Sequence, residues 1–129
     1  MDVNRVAKEL MDWLNSQGMA CVLHEAPTPT GIAAVECSAD PITHGFRTLL
    51  VEVRKNGVLM EMENLTVPPY NLQSAIDRIY RDLDNKVYSS FVEVGLKMRI
   101  DAYELKQGVG HMDVLSQVLS TIKENKAAP

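Results

Sequence analysis

The residues best placed to do chemistry are two glutamates, Glu52 and Glu61, in the stretch LLVEVRKNGVLMEME, residues 49 to 63. Two alternating runs meet there at Asn56-Gly57. Asn-Gly is a strong hairpin signal, because a type I′ turn needs positive φ at both central positions. With those two at the corner, Val53 faces Met60 and Val51 faces Met62 on the buried side. On the outer side Arg54 faces Leu59, Glu52 faces Glu61, and Leu50 faces Glu63. Two carboxylates directly opposite one another repel. They can share a metal, or divide acid and base roles if burial raises one pKa. The other residues of that face are Arg, Leu and Glu, which offer no burial, and Arg54 and Arg99 stand near enough in the pattern to relieve the repulsion. The acid row therefore reads as a solvated face that also discourages edge pairing. The chemical alternative is a small-ligand or metal-dependent activity at Glu52 and Glu61, with His44 or His111 from neighbouring loops.

The other reactive side chains do not form a constellation. His24, His44 and His111 fall on a strand, a loop and a helix start, without HxH or HxxxH spacing. Cys21 and His24 are three apart in a strand, hence on opposite faces. Cys21 and Cys37 sit on the two arms of a first hairpin around the breaker PTPT. A four-residue loop pairs Cys21 with Glu36 and turns it away from Cys37, so both cysteines are expected as small buried apolar groups. With only these two cysteines and no CxxC, neither a disulfide framework nor a zinc site is indicated. QGVGH, residues 107 to 111, ends at a helix start but lacks the Lys and Ser/Thr of a P-loop and is not GxGxxG. GxSxG and HExxH are absent. The expectation is a protein that is not an enzyme, with no catalytic residue, no cofactor and no metal.

Composition narrows the partners. The chain has 129 residues, 46% hydrophobic and 23% charged, with 13 Lys and Arg against 17 Asp and Glu and a net charge of −4. Scattered cations and a pI of about 5.3 argue against phosphate-backbone binding, and the few aromatics against a base-stacking platform. The opening MDVNRVAKELMDWL carries Asp2, Arg5, Lys8 and Glu9 and does not read as a signal peptide. No apolar run approaches the ~20 residues that span a bilayer. The expectation is a cytoplasmic location, without nucleic acid or membrane.

The elements that must position these residues can be read along the chain. A first helix covers 2 to 17, capped by Asp2, with Val3, Val6, Leu10 and Leu14 at helical spacing and Gly18 at its end. Strands follow at Met19–Glu25 and Ile32–Ser38, then a loop at 39 to 45 and the strands of the Asn-Gly hairpin. Pro68-Pro69 open a second helix over about 69 to 84. Strands at Val87–Val94 and Leu96–Leu105 lead to a third helix at about 111 to 124. The order is helix, four-strand antiparallel meander, helix, two strands, helix: an α+β fold with the helices on one face of the sheet. Residues 1 to 125 read as a single domain and 126 to 129 as a frayed tail.

Three segments resemble a known family. DWLNSQGMACVLHE resembles the start of YbjN-family proteins, FRTLLVEVRKNGVLMEMENL that family's central hairpin, and LKMRIDAYELKQGVG its last strand and Gly-Val joint. The resemblance spans about residues 9 to 124 and is one of topology and hydrophobic pattern. The family is similar in fold to the type III secretion chaperones, which dimerise and bind partner polypeptides. The resemblance thus implies a compact α+β fold and no catalytic signature. On the uncovered face the pattern sets Leu50, Leu59, Val58 and Tyr103 as exposed apolar residues among Glu52, Glu61, Glu63, Arg54, Lys97 and Arg99, the anatomy of an interface. The expected function is a protein-binding module, chaperone-like or a regulatory adaptor, acting as a homodimer or on a protein partner. Leu50, Glu52, Leu59, Glu61, Arg99 and Tyr103 are the contact residues. A further reading is an acidic inhibitor of a basic partner.

Overall fold

A computed structural model describes residues 2 to 66, 72, 74, 87 to 92, 95 to 100 and 111 to 125. Helix α1, Val3–Ser16, begins where Asp2 accepts the Asn4 N–H at 3.0 Å. It buries Val3, Ala7, Leu10 and Leu14, one stripe of a 3.6-residue period. Its end is a Schellman motif: the Gly18 N–H reaches the Asn15 carbonyl (3.0 Å) and the Met19 N–H reaches that of Leu14 (3.3 Å). Leu14 and Met19, the apolar pair that accompanies this motif, are both in the core.

Strands β1, Ala20–His24, and β2, Ala33–Ser38, form the first hairpin. Their register corrects the sequence expectation. Cys21 pairs with Cys37, not with Glu36. A shift of one residue moves every side chain of a strand to the other face, so the two cysteines share the core face, where they form a disulfide with Cα atoms 4.2 Å apart. The connection runs from Glu25 to Ile32, longer than PTPT alone, and α1 holds it in place. Asn4 acts there as a pseudo-backbone. Its Nδ2–H donates to the Ala26 carbonyl (3.1 Å), and its Oδ1 accepts the Ala26 N–H at 2.7 Å. The Val3 N–H also donates to the Pro29 carbonyl at 2.8 Å. These tertiary bonds, invisible in a local pattern, set the loop length and hence the register.

The segment read as a loop at 39 to 45 contains a short helix, α2, Pro41–His44. Asp40 caps it by accepting the Ile42 N–H at 3.1 Å, and Pro41 occupies the first turn. Gly45 ends it at φ 85°, and a Cβ there would lie 2.8 Å from Ile122 Cγ2. Glycine is thus required at Gly45 for both backbone and space.

Strands β3, Thr48–Arg54, and β4, Gly57–Glu63, form the second hairpin, in a register two residues from the expected one. Lys55 and Asn56 make the corner, Arg54 pairs with Gly57, Glu52 with Leu59, and Leu50 with Glu61. The type I′ expectation fails because Asn56 keeps a negative φ; Gly57 alone takes the positive one, at 153°. A slip of two preserves the faces and changes only the neighbours. Glu52 and Glu61 are therefore not a facing pair. Val58, expected to be exposed, pairs with Val53 on the core side and is 5% exposed.

Strands β5, Val87–Val92, and β6, Gly95–Ile100, complete a six-stranded antiparallel sheet in the order β1-β2-β3-β4-β6-β5. β6 lies between β4 and β5, so β1 and β5 are the edges. Helix α3, His111–Asn125, buries Val114, Leu115, Val118 and Ile122. These join the α1 stripe, Leu72 and the inner sheet residues Ala33, Val35, Leu49, Val51, Met60, Met62, Leu96 and Met98 in one core. Full burial stabilises each large aliphatic side chain by about 1.5–3 kcal/mol. Met60, Met62 and Met98 are core residues here. The helix expected at 69 to 84 lies outside the described residues except at Leu72 and Ser74, both helical. The ends of the last two strands at 93, 94 and 101 to 105, the QG of QGVGH with its following Val-Gly, and the tail at 126 to 129 also lie outside them.

Candidate functional site

The helices for which burial is described turn their apolar stripes to one face of the sheet, which leaves the other face as the candidate site. Strand alternation and register decide its occupants. Across the sheet one row runs Val22, Glu36, Leu50, Glu61, Lys97, and the next His24, Ala34, Glu52, Leu59, Arg99. Of the residues expected at the site, Leu50, Glu52, Leu59 and Glu61 share this face, each half-buried. The Arg99 backbone lies opposite Leu59. Tyr103 lies outside the described residues.

Glu36, Glu52 and Glu61 on this face each have a basic neighbour, while Glu63, on the same side of β4, is exposed. Lys97 Nζ reaches Glu61 Oε1 at 3.0 Å, directly across from it in the register. Arg54 Nη2 donates to Glu52 Oε2 at 2.6 Å along the same strand. His24 Nε2 lies 3.3 Å from Glu36 Oε1. The expected repulsion between Glu52 and Glu61 is replaced by two cation–carboxylate pairs, because Glu61 stands beside Leu50 and Lys97 instead of Glu52. Glu52 and Glu61 remain diagonal neighbours on this face, each with its own cation, instead of a directly facing pair.

The histidine proposed as a helper is elsewhere. His44 ends α2 and is 6% exposed, its ring 6.1 Å from that of Phe46 and tilted by 49°. It borders a small cavity of about 40 Å³ with Trp13, Met19, Leu119 and Lys123, on the helical side of the molecule. The side chain of His111 is not among those described. Among the described residues, no group of three or more His, Cys, Asp or Glu has the spacing to hold a metal ion.

The sequence missed the contribution of β1. Val22, 58% exposed, extends the apolar part of the row next to Leu50, and His24 and Glu36 add a further polar pair. Their membership depends on the β1–β2 register, and the pattern ACVLH, apolar on both parities, carried no signal for it. A groove of about 380 Å³ runs over this end of the face, bordered by Val22, Glu36, Ser38, Thr48, Leu50 and Glu61. It is open and lined by both apolar and polar residues.

No family model, curated protein or solved structure matches the chain. Among the described residues no helix is long and apolar enough to cross a membrane.

Proposed function

We propose that the protein is a non-enzymatic, protein-binding module, chaperone-like or regulatory in kind, which uses the open sheet face to pair with a second copy of itself or to hold a partner segment. One observation carries this reading: Val22, Leu50 and Leu59 are presented together on a face where Glu61 is paired with Lys97 and Glu52 with Arg54. Leu50 and Leu59 together with these two ion pairs can be covered without leaving either carboxylate as an unpaired buried ion, which would otherwise cost several kcal/mol. The resemblance to the YbjN family and the type III secretion chaperones points in the same direction.

The size of the face sets the expected strength. Six strands about 4.8 Å apart, with about 3.3 Å per residue, give roughly 500 Å² in projection. Two such faces bury less than a standard interface, which belongs with weak or transient association. The test is sedimentation over a range of concentrations for the native protein and for a variant carrying Leu50→Ser and Leu59→Ser. The expected result is a concentration-dependent dimer that the variant loses while its thermal unfolding is kept. A dimer of unchanged affinity in the variant, or a native monomer that binds no polypeptide, would sink the proposal.

A cytoplasmic location belongs to this proposal, and it carries a condition. Lasting disulfides are rare in that compartment, where those that form are transient or regulatory. The Cys21–Cys37 bond must then be able to open in the folded protein.

A further inference from the structure

The Cys21–Cys37 bond lies where a redox site would act on the fold. β1 is an edge strand of the sheet, paired with β2 as its one strand neighbour. The Cys21 N–H donates to Asn15 Oδ1 on α1 at 3.2 Å, so it points away from β2. That orientation marks a non-hydrogen-bonded pair, the position where opposed side chains of antiparallel strands come closest. Cys21 is half-buried, whereas Cys37 is 4% exposed and lies in the core. Cys21 is the more exposed residue of the two and Cys37 the sheltered one. The pair is thus asymmetric in access.

We infer that Cys21–Cys37 is a reversible redox site, reduced in the folded protein by a dithiol and controlling how firmly the edge strand β1 is held. The attacking thiolate of the dithiol bonds to Cys21 Sγ as the Cys21–Cys37 bond breaks, and Cys37 leaves as a thiolate that takes a proton from water. The second thiol of the reductant then displaces Cys21, which is protonated in turn. Two electrons and two protons pass to the protein, and the reductant ends as its own disulfide. Oxidation by a disulfide of the same class runs these steps backwards. The reduced hairpin keeps its backbone ladder and loses the covalent tie, so β1 opens more readily. The inference is independent of what the open sheet face binds.

The experiment uses the full chain with dithiothreitol and with glutathione buffers from oxidising to reducing. Thiols are read by alkylation and mass, and β1 amides by hydrogen exchange. Both cysteines should resist alkylation in the oxidising buffer and become labelled across the buffer series without unfolding. Amide exchange in Ala20–His24 should quicken about tenfold or more on reduction while β3 and β4 change little, since the constraint removed is local. A Cys37→Ser variant should form a mixed disulfide with glutathione at Cys21. Three results would overturn the inference. The first is full labelling in the oxidising buffer, meaning no bond forms. The second is reduction only at the rate of global unfolding, meaning the bond is purely structural. The third is unchanged β1 exchange after reduction, meaning the bond does not govern the strand.

Discussion

Asn4 shows how much one side chain decides. Its amide satisfies both backbone groups of Ala26, a part-buried position in the β1–β2 connection. Asn4→Ala leaves a donor and an acceptor without these partners and is expected to cost about 2 kcal/mol, with the loss seen in urea unfolding. Asn4→Asp should recover less than half of that, because a carboxylate cannot donate to the carbonyl. Gly45 is the second such position. Gly45→Ala places a methyl 2.8 Å from Ile122 Cγ2 on a backbone at φ 85°, and about 1–3 kcal/mol of destabilisation is expected by the same measurement. Neither role was legible in the sequence. Asn4 looked like an ordinary first-turn residue, and Gly45 like one more loop glycine. By contrast Asp2 and Gly18 were legible, because a cap and a Schellman glycine act within five residues of themselves.

At the level of elements, the two hairpins separate what local pattern can and cannot determine. In β3–β4 the alternation assigned faces correctly to Leu50, Glu52, Leu59 and Glu61, while the turn was misplaced by one residue and the register by two. The ion pairs test the observed register. A double-mutant cycle on Glu61 and Lys97 should give about 0.5 kcal/mol of coupling that fades in high salt, as partly exposed pairs do. A cycle on Glu52 and Glu61 should give almost none; strong repulsion there would restore the facing pair. In β1–β2 the error was one residue, and it reversed the reading of Cys21. The sequence separation of Cys21 and Cys37 is 16, and a loop of about 15 residues gives about 3 kcal/mol of cross-link stabilisation in the chain-entropy account. Reduction should lower the unfolding free energy by roughly that amount, measured by denaturation with and without dithiothreitol. A Cys21→Ala, Cys37→Ala double variant should match the reduced protein.

For the molecule as a whole, the asymmetry between the sheet's two faces governs behaviour. One face is sealed by α1 and α3 through a continuous apolar core. The other carries aliphatic residues among charged ones, with Glu61 and Glu52 paired to Lys97 and Arg54, and the groove beside Val22 and Leu50. If that face is an interface, Val22→Glu should weaken association as strongly as Leu50→Ser does, although Val22 sits on the edge strand. The readout is the sedimentation midpoint. Weakening by Leu50→Ser alone would confine contact to the centre of the sheet.

By itself, the sequence determined the alternation of strands, the amphipathic stripes of α1 and α3, the caps, and so an α+β fold with helices against one side of an antiparallel sheet. These follow from periodicities of two and 3.6 residues and from hydrogen bonds that close over short distances. The tertiary structure alone decided which residues meet. The placement of β6 beside β4, the approach of Lys97 to Glu61 and the bonding of Cys21 to Cys37 all depend on chain segments far apart in sequence. Register is a sum over many weak pairings and a few long-range anchors such as Asn4. A local pattern therefore defines a strand's faces more securely than the partner across from each residue.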